Sequence, residues 1–247
     1  MMKQNLPTNY CRYLHILIFS SVLLSHTALA SEPRTLKWSL DSQTQCIMAA
    51  DDFTFSVSKQ RLIIRKENRI VLDHDFKRPI IYAVLNPLFP CIAVFVSTQE
   101  DIDFREKSYK EDDLYTPLEY IAESLYFINI PKRTVKRWSP EGELFFSDWS
   151  FDIWSKGGNY VALLQDHIGP IFVYRAKDFI ESVDIDPHYI IYGREPGSED
   201  PAAVTKFMEW KTDNVLIYRL ACCGHESVYE CDILSGKYKT LRSGEVH

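Results

Sequence analysis

Asp73-His74-Asp75 and Asp166-His167 set carboxylates beside an imidazole. Those residue types do general acid–base chemistry, because an imidazole titrates near neutral pH and a carboxylate can orient it. A secreted hydrolase or lyase, acting on carbohydrate or peptide in a central cleft, would draw on His167 with Asp166 or on His74 with Asp73. Neighbouring residues on a strand point to opposite faces, however, so adjacency in sequence is not pairing in space. Both segments also fall where hairpin turns are expected, and Asp is a common turn residue. The sequence holds no Gly-x-Ser-x-Gly elbow, no His-Glu-x-x-His, no phosphate-binding loop and no dinucleotide fingerprint. The leading expectation is a chain without catalytic residues, with the hydrolase or lyase as the alternative.

Cysteine chemistry comes next. Cys222, Cys223, His225 and Cys231 carry metal-ligand types, but Cys-Cys-x-His lacks the usual zinc spacing. Asp101-x-Asp103 and Asp184-x-Asp186 lack the glycine and terminal glutamate of a calcium loop. No metal and no cofactor are expected. Disulfides are the better use of these thiols in an oxidising compartment. A hairpin turning at Glu226-Ser227 would set Cys222 facing Cys231 and point Cys223 to the other sheet face. Cys46 and Cys91 open the first two inner strands and could bridge neighbouring units. The candidates are thus Cys46, Cys91, Cys222 and Cys231, with one thiol left over and the pairing open.

Binding chemistry is concentrated in one stretch. Glu100 to Asp113 holds seven acids and three bases, with Phe104 and Tyr109 among them. It reads as a solvated insertion at about 99–116, and as a loop it can contact a basic partner. Glu100, Asp101, Asp103, Glu111, Asp112 and Asp113 are its candidate contacts. Trp149, in Ser147-Asp148-Trp149-Ser150, is the aromatic expected to be exposed.

The first thirty residues stand apart. Lys3 and Arg12 form a positive start, Ile16 to Leu24 is an apolar run too short to span a membrane, and Thr27-Ala28-Leu29-Ala30 ends in a small-x-small pattern. This is the pattern of a secretory signal peptide, cleaved after Ala30. Cys11 precedes the apolar run, so it is not a lipoprotein cysteine. Losing Lys3 and Arg12 takes the net charge from -6 to -8. That balance argues against a nucleic-acid binder, which needs a basic footprint. The expected location is periplasmic or secreted, in a bacterium, with no membrane span.

The elements that must position these residues are short. With 46% apolar and 25% charged residues, residues 31–247 read as a single globular domain. Fifteen β-branched and aromatic runs are separated mostly by Gly, Pro, Asn or Asp, among them Gln45 to Ala49, Phe53 to Val57, Ile80 to Leu85 and Asn214 to Leu220. Helix signals are confined to a capping box at Thr116-Pro117-Leu118-Glu119 and a weaker one at Asp200-Pro201-Ala202-Ala203. The fold class is all-β.

A weak repeat adds organisation. Phe151-x-x-Trp154 leads through a polar turn to Asn159 and the apolar strand from Tyr160. Phe207-x-x-Trp210 leads in the same way to Asn214 and Val215. Trp38 with Cys46 to Ala50, and Leu85-Asn86-Pro87 with Cys91 to Val96, are looser copies, and Trp138-Ser139-Pro140-Glu141-Gly142 repeats the turn. The pattern resembles the blades of β-propellers of the WD-repeat-like and periplasmic TolB-like kind, chiefly over residues 138–241. That resemblance implies a small or incomplete propeller-like arrangement of about four antiparallel units, in which each Trp packs between adjacent sheets. A β-sandwich or irregular β-barrel is the alternative. The resulting expectation of function is an exported, non-catalytic protein-binding domain. Its partner would be another exported protein, a basic one matching the acidic stretch. An inhibitor or immunity-type protein and an envelope-assembly factor are its two concrete forms.

Overall fold

A computed structural model describes residues 37–39, 53–103, 120–122, 124–138, 144–146, 153–164, 170–182, 184–192, 204–222 and 225–245. The chain separates into two units, Met1–Pro33 and Arg34–His247, and every described residue belongs to the second. The expected signal peptide, the strand at Gln45 to Ala49, Cys46, Cys223, Glu111 to Asp113, Trp149, Asp166-His167 and both capping boxes lie outside the described residues.

The described chain is built from antiparallel sheets. Sheet I contains β2 (Phe53–Val57), β3 (Arg61–Lys66) and β4 (Arg69–Asp75) in that order. Glu67 and Asn68 both have positive φ, 49° and 65°, which suits a two-residue hairpin between β3 and β4. Sheet II places β1 (Lys37–Ser39) beside β5 (Ile80–Leu85), then β6 (Cys91–Val96), β8 (Ser124–Asn129) and β9 (Thr134–Trp138). β7 (Tyr120–Ala122) and β10 (Leu144–Phe146) form a two-stranded ribbon. Sheet III is β11 (Tyr160–Leu164), β12 (Ile171–Arg175) and β13 (Tyr189–Ile191), with Trp154 bridging Val161 at its inner edge. Sheet IV is the meander β14 (Val204–Trp210), β15 (Val215–Cys222), β16 (His225–Asp232) and β17 (Lys237–Glu245).

Three hydrophobic clusters stack these sheets in chain order. Every residue of β5 and β6 is buried, as expected of strands covered on both faces. Ile92, Val94 and Val96 pack with Leu62, Ile64 and Leu72 of sheet I. The alternate residues Cys91, Ala93 and Phe95 pack with Trp154, Val161 and Leu163 at sheet III. β11 divides in the same way: Ala162 and Leu164 turn to Leu216, Tyr218 and Leu220 of sheet IV. A two-layer sandwich gives each sheet one inner face, whereas sheets II and III each have two. The fold is therefore an incomplete, propeller-like row of four antiparallel units. Among the described residues, no hydrophobic cluster joins sheet IV back to sheet I.

Several expectations need correction. Asp73-His74-Asp75 is not a turn: β4 continues through it, pairing Asp73 with Ile63 and Asp75 with Arg61. The β15–β16 hairpin reverses earlier than expected, with Cys222 opposite His225 and Cys231 opposite Leu216. This register pairs all eight residues of each strand, satisfying the backbone groups that the expected register would leave unpaired. Cys222 and Cys231 thus stand roughly 20 Å apart along the sheet and do not form the cross-hairpin disulfide. Two short helices were not foreseen, one over residues 99–103 and one between β12 and β13 of sheet III. α1 (Ala176–Glu181) follows β12 without a side-chain cap, and Ala176, Phe179 and Ile180 bury into the cluster between sheets II and III.

Candidate functional site

One polar constellation joins sheets II, III and IV through their turns. The turn at 155–159 leads into β11, and residues 211–214 occupy the same place before β15. Asp213 reaches across to the sheet III turn. Its carboxylate accepts from the Ser155 hydroxyl, the Gly157 amide at 2.9 Å and the Asn159 side-chain amide at 2.5 Å. Ser155 Oγ in turn accepts from the Tyr160 amide at 3.0 Å. From the other side Asn86, fully buried between β5 and β6, donates through Nδ2 to the Gly158 carbonyl at 2.9 Å. Its Oδ1 accepts from the amides of Leu88 and Phe89 at 2.8 and 2.7 Å. Gly158 has φ +78°, and a Cβ there would lie 2.7 Å from both Asn86 Oδ1 and the Leu88 amide. Only glycine fits.

The two tryptophans of the repeat make equivalent bonds. Trp154 Nε1 donates to the Val84 carbonyl of sheet II at 3.4 Å, and Trp210 Nε1 to the Ile153 carbonyl before sheet III at 3.0 Å. Each indole is buried against the preceding unit and satisfies its one polar atom there. Between sheets III and IV, Tyr160 stacks on Trp210 and on His188, and Tyr218 on Tyr229. The Tyr189 hydroxyl donates to Cys231, and burial followed by that neighbour pushes the phenol up to about 12. Burial also raises Tyr218 and Cys231.

The expected site residues scatter. Asp73 is held by Arg61 through two bonds of 2.6 Å, which keep its carboxyl below the ordinary value. His74 meets the Phe76 ring edge-on at 4.6 Å instead, and strand alternation sets it on the face away from Asp73. They form no acid–base pair. In the acidic stretch, Thr98 caps a helical turn over residues 99–103: its Oγ1 accepts the Asp101 amide at 3.0 Å and donates to the Asp101 carboxylate at 2.5 Å. Ile102 is buried in the core, while Glu100 and Asp103 face solvent, Asp103 accepting from Gln99 at 2.7 Å. Asp101 is thus a capping residue. Cys91 and Cys231 are free, buried thiols rather than disulfide partners, and burial pushes Cys91 far up. Neutral buried thiols are poor nucleophiles. Among the described residues, no three His, Cys, Asp or Glu side chains converge to hold a metal ion, and no helix is long and apolar enough to cross a membrane.

Sequence reasoning passed over Asn86, Ser155 and Asp213, although all three sit inside the repeat copies. The available signal was a polar residue in each turn that follows an inner strand.

No family model matches the sequence, and no characterised protein matches it in sequence. Solved structures that resemble it are β-propeller proteins. Hsv2 from Kluyveromyces marxianus matches at 8% identity and TM-score 0.38, over 81% of this chain and 60% of that one. Sqt1 from Saccharomyces cerevisiae matches at 12% and 0.40, over 79% and 48%. An oligogalacturonate lyase in complex with manganese matches at 12% and 0.40, over 79% and 51%. The chain therefore spans between about half and 60% of the length of these proteins.

Proposed function

We propose that the protein is an exported, non-catalytic binding protein of the bacterial envelope or medium, which meets a basic partner protein through its acidic stretch. The observation that carries this reading is the anchor of that stretch. Thr98, Asp101 and the buried Ile102 fasten its first turn to the core, and Glu100 and Asp103 point outward from it. A mature charge of -8 favours steering toward a basic surface. Inhibition of a secreted toxin or wall-active enzyme is the concrete role that this chemistry fits.

Crosslinked capture from periplasm and medium, at low and high salt, tests the reading. One stoichiometric basic partner is expected, whose association slows as salt screens the charges. Replacing Glu100 and Asp103 with lysine should slow it further. An on-rate indifferent both to salt and to the double reversal would sink the proposal.

A further inference from the structure

We propose that the 155–159 turn is a keystone that makes sheets II, III and IV open as one block, with Asp213 the residue that commits sheet IV to it. The turn is gripped from both neighbours. Asn86 of sheet II holds the Gly158 carbonyl, and Asp213 of sheet IV gathers Ser155, Gly157 and Asn159. Four donors on one carboxylate, the Asn159 backbone amide at 3.5 Å among them, make charge-assisted bonds, stronger than neutral ones. The contact spans 54 to 58 residues of sequence, so it reports the relative placement of the sheets rather than local turn geometry. Trp154 and Trp210 repeat the coupling on the inner strands, each bonding the unit before it. A sheet leaving this block would break an indole bond and a turn bond together with its hydrophobic contacts, which is the condition for cooperative opening.

Native-state hydrogen exchange on the full chain tests this. In the parent protein, amides of β6, β11 and β15 should exchange through one common opening with the same denaturant dependence. Asp213→Asn keeps the shape but removes the charge and one acceptor. It should speed exchange about ten- to a hundredfold, the range for a bond to a charged group, and by the same factor in β6, β11 and β15, because all three exchange through the one opening in which that bond breaks. If Asp213→Asn fails to fold, Ser155→Ala removes a single donor and offers the same readout. Acceleration confined to sheet IV, or none in any of the three sheets, would overturn the keystone role, as would separate openings of β6, β11 and β15 in the parent.

Discussion

The contact between sheets I and II and the contacts among sheets II, III and IV are built on different physics. The first is aliphatic: Leu62, Ile64 and Leu72 against Ile92, Val94 and Val96. It also carries backbone bonds to the turn between β2 and β3, from the Ile80 amide at the start of β5 to the Lys59 carbonyl and from the Phe76 amide to the Gln60 carbonyl. The others add indole bonds, the Asn86–turn–Asp213 grip and a tyrosine cluster to similar apolar packing. Burial is non-directional and stabilises in proportion to area. Directional bonds add little net stability each, but they penalise wrong placement heavily because an unmet buried donor is costly. Apolar area thus holds sheet I on, while polar geometry fixes where sheets III and IV sit.

The largest effect should come from Trp210, fully buried at the centre of the second region. Trp210→Ala removes the ring and one of the two donors on the Ile153 carbonyl, which keeps the Ala162 amide at 2.8 Å, costing about 3–5 kcal/mol. Leu62→Ala, equally buried in the first region, should cost about 2–5 kcal/mol from cavity formation alone. Urea titrations give both magnitudes, and regional hydrogen exchange tells the two apart. The Trp210 variant should loosen sheets II, III and IV together, whereas the Leu62 variant loosens sheet I. The same regional pattern from both would erase the comparison.

Next in size is Gly158→Ala. The added methyl meets Asn86 Oδ1 and the Leu88 amide, and φ +78° is strained for any residue with a Cβ. A loss of about 1–3 kcal/mol is expected. Gly244→Ala, in β17, has nothing within 4 Å of the new methyl and should be close to neutral. A fall in the urea midpoint for the first variant and none for the second is the check.

These elements differ in how far the sequence reveals them. Strands such as Phe53–Val57 and Ile80–Leu85 are legible to the residue, because their apolar runs end at turn residues. The Phe-x-x-Trp copies were legible too, and their indoles do pack between sheets. The β15–β16 register was not. Val215 to Leu220 is nearly all apolar, so alternation does not say which residues face inward, and only packing on sheet III chooses. α1 has Arg175 where a cap would stand and owes its existence to Phe179 and Ile180 finding the core. The Asp213 grip is invisible for a similar reason: its partners become neighbours only after the sheets stack. In the acidic stretch, Asp101 looks like its neighbours until Thr98 is seen holding it.

Alkali should separate the two regions with a smaller effect. Tyr189 is pushed up to about 12, and Tyr218 is raised as well, so both stay neutral in the folded protein past the pH where the unfolded chain ionises. A raised folded value gives stability that is fully present below about pH 10 and lost as pH climbs through the folded value. The block of sheets II, III and IV should therefore loosen before sheet I above about pH 10, with tyrosinate absorbance at 295 nm rising alongside. Tyr189→Phe should blunt that loss. Loosening of sheet I first would contradict it.

Acid probes sheet I, and the effect should be the smallest of the set. Asp73 is lowered by its bonds to Arg61, and Asp75 by its bonds to Lys77. A depressed folded value gives stability present above the ordinary carboxylate range and lost as pH falls through the folded value, here below about pH 4. Both carboxylates are solvent-exposed, so screening keeps the gain small and sensitive to salt. Arg61→Gln should make β3 and β4 exchange slightly faster at pH 7 and remove part of the difference between pH 7 and pH 3. It should leave sheets III and IV unchanged. A measurable change in sheet IV would mean that the aliphatic contact transmits as much as the polar grips do, and the distinction between the regions would lose its physical basis.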